Sequence, residues 1–207
     1  ESESSIDSCK VYGTVFGENC VGGLVGIFDS KEGIYACSTS VNITFPDIFE
    51  KEVFYIGGLV GQLCHGMVKN CTSSGNVGDT EQTYIYTDSR GVGGLIGAIS
   101  NPPLIYDTRP KVKDSKSSCQ VGGSREVGGL VGSILHVPFN TGKREIINCS
   151  STGYVYGISD VGGLVGRGIS LYVNNSYSTG NVFGEQCVGG LIGNMIQDYY
   201  QNNEYSH

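Results

Sequence analysis

The residues of this chain best suited to chemistry are its eight cysteines. Thiols can form disulfides, bind a metal or pack as small apolar groups. No Cys-x-x-Cys pair of the kind that binds zinc is present. An even number of cysteines outside any metal pattern favours at least some disulfides, and with them an oxidising, extracellular compartment.

Five of the cysteines occupy an equivalent place in five consecutive copies of an internal repeat, where the sixth copy has Ser176: Cys9, Cys37, Cys71, Cys119 and Cys149. If the copies stack, these residues form one column, close enough for bridges between neighbours. The candidate disulfides are Cys9–Cys37, Cys119–Cys149 and the local link Cys64–Cys71. The alternative is a column of buried free thiols.

Cys20 and Cys187 form a separate case, because they have near-identical surroundings in the first and the last copy of the repeat. In a linear stack they lie five strand spacings apart, on the order of 24 Å, which is too far to bridge. Chains stacked end to end would bring them together. We therefore expect head-to-tail self-association with this pair as an inter-subunit contact. Alternatively, both thiols are buried and unpaired, or the parent chain has more repeats.

Four Asn-x-Ser/Thr sequons agree with a secreted, glycosylated protein, at Asn42, Asn70, Asn148 and Asn174. Asn42, at the start of an inserted loop, is the best candidate, whereas Asn70 and Asn148 adjoin cysteines and are alternatively turn residues. There is no initiator Met, signal segment or apolar stretch of about 20 residues. We expect no membrane span, and a processed or excised piece of a larger protein.

Motifs for catalysis are sparse. The glycine-rich segments lack the Lys-Ser/Thr of a phosphate-binding loop, and no Gly-x-Ser-x-Gly elbow occurs. The carboxylates of two loops lack the alternating spacing of a calcium site: Asp47, Glu50, Glu52, Asp79, Glu81 and Asp88. A net charge of −7 argues against nucleic acid as a partner. We predict no catalytic, cofactor-binding or metal-binding residue, and no enzyme.

The chain has 33 glycines, and their spacing identifies the structural elements that must position the cysteines. The hexapeptide Val-Gly-Gly-Leu-Val-Gly or a close variant occurs six times, with its glycine pairs beginning at residues 22, 57, 93, 128, 162 and 189. The shortest spacing, 27 residues, defines the unit, and longer copies carry insertions. All five prolines fall in those insertions, which favours a hydrogen-bonded strand framework elsewhere.

The repeated parts are short runs of Val, Leu, Ile, Tyr and Phe broken by glycine. Glycine at this density would cost a helix about 1 kcal/mol each, and no segment sustains a helical apolar period. We therefore predict an all-β fold, a parallel β-helix (β-solenoid) of about six coils with inserted loops, spanning residues 1–207 as one repeat domain. A helical repeat array is the less favoured alternative.

The repeated Gly-Leu-Val/Ile-Gly core, with a Gly-x-Val-x-Gly segment upstream, resembles the GLUG motif in six copies across nearly the whole chain. That repeat is known from bacterial surface adhesin-like proteins and from the non-catalytic part of immunoglobulin A-specific metallopeptidases. The resemblance implies an extracellular, elongated β-helical segment. It carries no catalytic residues over, since the His-Glu-x-x-His of the metallopeptidases is absent.

From these observations we expect a non-catalytic extracellular structural or adhesive module, a rigid rod that displays loops. The alternative is a carbohydrate-binding or carbohydrate-cleaving β-helix enzyme. Aromatic residues in the insertions could contact glycans or surface proteins, or instead fold back onto the coils: Phe45, Phe49, Phe54, Tyr55, Tyr84, Tyr86 and Tyr106.

Overall fold

The computed structural model describes residues 4–45, 52–80, 88–100, 110–135 and 143–197. These residues contain strands and turns and no helix. The strands stack in parallel, one coil on the next, which confirms the predicted parallel β-helix. Four of the insertions fall outside the described residues, and so do Phe49, Tyr84, Tyr86 and Tyr106.

The first three coils have four strands each. The first coil comprises β1 (Ile6–Asp7), β2 (Lys10–Phe16), β3 (Asn19–Gly22) and β4 (Val25–Phe28). The second comprises β5 (Gly33–Tyr35), β6 (Ser38–Thr44), β7 (Glu52–Gly57) and β8 (Val60–Leu63). The third comprises β9 (Met67–Lys69), β10 (Thr72–Gly78), β11 (Asp88–Gly93) and β12 (Ile96–Ile99).

The last three coils have five strands each, because the long second strand is interrupted. The fourth coil comprises β13 (Lys111–Lys113), β14 (Lys116–Ser117), β15 (Gln120–Gly122), β16 (Arg125–Gly128) and β17 (Val131–Ile134). The fifth comprises β18 (Arg144–Ile147), β19 (Ser150–Ser151), β20 (Val155–Tyr156), β21 (Ser159–Gly162) and β22 (Val165–Ile169). The sixth comprises β23 (Leu171–Asn174), β24 (Tyr177–Ser178), β25 (Val182–Phe183), β26 (Gln186–Gly189) and β27 (Ile192–Ile196).

The stacked strands form four parallel sheets, which each coil visits in the order A, B, C, D. Sheet A runs β1-β5-β9-β13-β18-β23, sheet C runs β3-β7-β11-β16-β21-β26, and sheet D runs β4-β8-β12-β17-β22-β27. Sheet B contains β2, β6, β10 and the interrupted pairs of the last three coils. The inserted segments enter only between sheets B and C or between sheets D and A, so the four sheets keep one register.

The register contradicts one part of the cysteine alignment. Thr72 pairs with Lys116 and Lys116 with Ser150, so the column runs Cys9, Cys37, Cys71, Ser115, Cys149 and Ser176. Cys119 lies four residues further on, level with Gly75, because Asn76 pairs with Gln120. Serine and cysteine have similar size, so Ser115 fills the place that the alignment gave to Cys119.

Two separate hydrophobic cores run the length of the coils. The first lies between sheets A and D and contains the motif leucines Leu59, Leu95, Leu130 and Leu164, each with no exposed surface. The second lies between sheets B and C and is made largely of valine. Full burial of such side chains stabilises the fold by about 1.5–3 kcal/mol each. Cys149 belongs to the first core and Cys119 to the second.

Sheets C and D pack against each other backbone to backbone, and this contact explains the third glycine of each motif. A Cβ on Gly97 would lie 2.4 Å from the Ile56 nitrogen and 2.5 Å from the Tyr55 carbonyl carbon. Equivalent contacts recur at Gly132, where the Cβ would lie 2.5 Å from the Val92 nitrogen. No side chain fits at these positions, so the glycine is a packing requirement.

The second glycine of each pair faces the same glycine of the next coil. A Cβ on Gly58 would lie 2.1 Å from the carbonyl oxygen of Gly94. The backbone continues the ladder there: Leu59 N donates to Leu95 O at 2.9 Å, and Leu95 N donates to Leu130 O at 2.9 Å. In the last coil, a Cβ on Gly190 would meet nothing within 4 Å.

These contacts predict that one substitution has a large effect at one position and almost none at an equivalent position. Gly58→Ala forces a Cβ into the backbone of the next coil and should lower the free energy of unfolding by about 3 kcal/mol. Gly190→Ala should change it by less than about 0.5 kcal/mol, because its Cβ points into open space. Urea unfolding followed by circular dichroism measures both. Equal losses for the two variants would contradict the explanation.

Candidate functional site: the two end faces

The first and last coils present open sheet edges. Strands β1, β2, β3 and β4 pair only with the second coil, and strands β23 to β27 pair only with the fifth. A sheet edge offers backbone groups that can pair with another strand. The structure therefore has two faces, one at each end of the stack, on which a further coil could continue the ladder.

The exposed apolar side chains are concentrated at these two ends. All nine large hydrophobic residues that are exposed in the described part of the chain belong to the first or the last coil: Tyr12, Phe16, Ile27, Tyr172, Tyr177, Phe183, Val188, Leu191 and Met195. Leu191 is 37% exposed, whereas the four preceding motif leucines are fully buried. Apolar surface gathered in this way marks an interaction site.

Cys20 and Cys187 lie at opposite ends of one column in sheet C. Val21 pairs with Ile56 and Val161 with Val188, so the column runs Cys20, Tyr55, Gly91, Glu126, Asp160 and Cys187. Every member has a positive φ, from 50° to 71°. Cys187 is exposed and Cys20 is half-buried. The predicted inter-subunit pair is therefore placed on the two end faces, and its bonding between chains stays a prediction.

The thiol of Cys20 donates to Gln62 Oε1 at 3.3 Å. Burial raises the pKa of this thiol above its ordinary value. Since thiolate is the reactive form, the raised pKa lowers the reactivity of Cys20 at neutral pH, and Cys187 is the more exposed of the two thiols.

The middle of the same column holds a buried carboxylate between two arginines. Arg90 Nη2 donates to Glu126 Oε1 at 2.8 Å, and Arg167 Nη1 donates to the same oxygen at 2.9 Å. The Glu126 side chain is 2% exposed. Burial alone would raise its pKa, but the hydrogen bonds from Arg90 and Arg167 and the charge of Arg90 hold the pKa below the ordinary value.

All eight cysteines are free thiols in the structure. The Cys9 amide lies 3.4 Å from Cys37 Sγ, so these two predicted partners are neighbours. Cys71 Sγ and Cys149 Sγ instead donate to backbone carbonyls, at 3.3 Å to Lys69 O and 3.2 Å to Ile147 O. Burial raises the pKa of both thiols to about 11.

In the other two predicted disulfides, Cys119–Cys149 and Cys64–Cys71, the sulfur atoms contact other groups of the protein. Cys119 Sγ donates to Gly94 O in the second core, away from Cys149 in the first. Cys64 Sγ lies 3.7 Å from Ser100 Oγ. The disulfide pairings stay predictions, and the geometry favours Cys9–Cys37 among them.

The sequons lie on three parts of the coil. Asn42 is exposed within β6, not at the start of a loop, because the strand continues to Thr44. Asn70 and Asn148 occupy the turn between sheets A and B with φ of 56° and 55°, which confirms the turn alternative. Asn174 is exposed at the end of β23. Glycosylation of these residues stays a prediction.

A ladder of side-chain amides follows the turn between sheets A and B. Asn148 Nδ2 donates to Asp114 Oδ1 at 2.9 Å, and Asn175 Nδ2 donates to Asn148 Oδ1 at 2.7 Å. Six residues in register take a left-handed φ there: Ser8, Ala36, Asn70, Asp114, Asn148 and Asn175. Sequence reasoning identified this turn only at Asn70 and Asn148, although the repeated Asn and Asp were a signal along the whole column, since both tolerate this conformation.

The remaining predicted residues are structural where the structure describes them. Phe54 and Tyr55 lie within β7, and Phe45 packs against the second core, as the folding-back alternative expected. The side chain of Asp88 accepts hydrogen bonds from Arg125, with Nε at 3.0 Å from Oδ1. No group of three or more His, Cys, Asp or Glu side chains is arranged to hold a metal within the described ranges.

One histidine lies against a carboxylate. His65 Nδ1 is 2.5 Å from Asp29 Oδ1, and the histidine is 4% exposed. Its Nε2 has no hydrogen-bond partner in the described chain, and the neighbouring Cys64 thiol contacts Ser100 instead. This contact joins the first coil, through Asp29, to the turn after the second coil, which holds His65.

The comparison with known families agrees with the repeat. Residues 53–78 match the GLUG motif. The chain carries a GLUG motif. In the structure this segment is one full turn of the solenoid, from sheet C through sheets D and A to the end of β10 in sheet B. The register then repeats the same turn along the stack.

No curated protein and no solved structure matches the chain. Among the described residues there is no helix of the length and apolarity needed to cross a membrane.

The buried carboxylate predicts a pH-dependent stability. A folded pKa below the ordinary value of 4.5 adds stability above pH 4.5, and that stability is lost as the pH falls through the folded pKa. Glu126→Gln should lower the free energy of unfolding by about 2 kcal/mol at pH 7 and flatten this acid dependence.

Urea unfolding at a series of pH values measures the effect. Glu145→Gln is the matched control, because Glu145 is 30% exposed and contacts Lys111 at 3.2 Å on the surface. It should cost less than about 1 kcal/mol. The account of the buried triad is contradicted if the two variants have the same pH profile.

Proposed function

We propose that this chain is a non-catalytic structural module of an extracellular or surface protein, a rod that continues by end-to-end stacking. The observation that carries the proposal is the confinement of exposed large apolar side chains to the first and last coils. A solenoid that ended there would leave this surface in water. A further coil on each face would bury it and pair the open edges.

A second copy of this chain is the occupant that fits. Residues 184–190 read Gly-Glu-Gln-Cys-Val-Gly-Gly, and residues 17–23 read Gly-Glu-Asn-Cys-Val-Gly-Gly. Stacking in register would therefore set Gly190 on Gly23, as Gly163 lies on Gly190 within the chain. The same register would set Cys187 beside Cys20, about 4.8 Å away between Cα atoms, which suits a disulfide.

The extracellular and adhesive parts of the proposal have separate support. The GLUG motif suggests a repeat module of the kind found in adhesin-like proteins or in the non-catalytic regions of peptidases. Four exposed sequon asparagines and two cysteines on the end faces suit an oxidising compartment.

Gly190→Ala tests the stacking without disturbing the fold. Its Cβ meets nothing within 4 Å in the single chain, yet in a stack it would lie against Gly23 O, because the five equivalent contacts are 2.1–2.3 Å. In sedimentation velocity under reducing conditions, the wild-type chain should form elongated oligomers that grow with concentration. The Gly190→Ala variant should stay monomeric, with unchanged circular dichroism.

A separate experiment tests the cysteine contact. Oxidised wild-type chain should give a ladder of multimers on non-reducing electrophoresis, and Cys187→Ser should reduce it to monomer, whereas Cys119→Ser should not. A wild-type chain that sediments as a monomer at every concentration would sink the stacking proposal. Oligomers that persist in Gly190→Ala would place the contact elsewhere.

A further inference from the structure

A groove crosses sheet B along the side of the rod and reaches Tyr177 in the last coil. Its volume is about 360 Å³, within the range of small-molecule sites. It spans the third to the sixth coil, where the sheet B strand is interrupted after Ser117, Ser151 and Ser178. The residues that line it are mostly hydroxyl-bearing, with one lysine and one tyrosine.

One column of outward side chains defines the groove. Thr72 pairs with Lys116, Lys116 with Ser150, and Ser150 with Tyr177. Lys116 and Tyr177 are exposed and stand on either side of Ser150, which is 3% exposed. Successive residues of a strand point to opposite faces, and Ser151 points inward at Gly129, so Ser150 faces the groove.

Some hydroxyls of this groove are hydrogen-bonded, since Ser73 Oγ donates to Gly94 O and Ser118 Oγ donates to Ser73 O, but others have no side-chain partner. Within the described ranges, the hydroxyls of Thr72, Ser150, Thr152 and Tyr177 make no side-chain hydrogen bond, and Lys116 makes no ion pair. Ser150 as a residue is 3% exposed, but its hydroxyl is not one of the buried oxygens that lack a partner, so it is accessible from the groove. The Lys116 ammonium is exposed and available to an anionic ligand.

We propose that this groove binds an acidic sugar residue of a polysaccharide. A pyranose ring has an apolar face that packs on an aromatic ring, as Tyr177 offers, and hydroxyls that both donate to and accept from Ser and Thr. The Lys116 ammonium pairs with the carboxylate of a uronic acid. The groove is open along the coils, so neighbouring sugars of the same polysaccharide can continue past it.

This site is distinct from the loop aromatics expected to contact glycans, and it does not depend on end-to-end stacking. Binding can therefore be measured in the Gly190→Ala background, where stacking is absent. Failure of the groove and failure of the rod proposal are then separate results.

Saturation-transfer NMR with D-glucuronate and D-glucose as the probes tests the groove. Glucuronate should bind with a Kd on the order of 1 mM and glucose more weakly. Lys116→Gln should weaken glucuronate binding about fivefold and leave glucose unchanged. Tyr177→Ala should weaken both sugars about fivefold, since it removes the ring that each packs on.

Matched controls use the same residue types outside the groove. Lys10→Gln alters the same sheet column in the first coil, and Tyr172→Ala removes an exposed tyrosine of sheet A. Neither should change the binding of either sugar. The proposal is overturned if neither sugar binds, or if Lys116→Gln and Tyr177→Ala act no more strongly than these controls. Displacement of glucuronate by inorganic sulfate with no glucose binding would also overturn it, in favour of a simple anion site.

Discussion

The close backbone contact between sheets C and D is the constraint on which the rest of the structure depends. At the third glycine of each motif the neighbouring backbone occupies the place of a Cβ, as at Gly61, where it would lie 2.5 Å from the Cys20 carbonyl carbon. Because no side chain separates these two sheets, each coil has its apolar side chains on either side of them. The two cores, one against sheet A and one against sheet B, follow from that single contact.

The same contact leaves one column of sheet C free to vary. Its residues hold a left-handed φ whatever their side chain, and the positions include cysteine, tyrosine, glycine, glutamate and aspartate. The ladder of hydrogen bonds, and not this column, carries the stacking. The column is therefore where the chain places its buried ion triad in the middle and its two end-face thiols, Cys187 and Cys20.

The architecture was predictable from the sequence because the glycine pairs mark each coil directly. The pairs at Gly57 and Gly93 stack in register as their spacing predicted. The cysteine column was only partly predictable, since spacing cannot tell that Ser115 replaces a cysteine once the strand is interrupted. The contacts of Glu126 were out of reach, because Arg90 and Arg167 are 36 and 41 residues away and become neighbours only through the register. The sheet B groove lies along the same interrupted strands, and no sequence motif predicts these interruptions.

Amide hydrogen exchange of the motif leucines measures the central claim most directly. In the single chain, the backbone amides of Leu59, Leu95 and Leu130 donate to carbonyls of the next coil. Leu191 lies in the last coil, so no further coil is there to accept from its amide. In the Gly190→Ala monomer, the first three amides should be among the slowest to exchange, and the Leu191 amide should exchange orders of magnitude faster. Exchange of the three inner amides at the rate of exposed turns would contradict the glycine-dependent ladder.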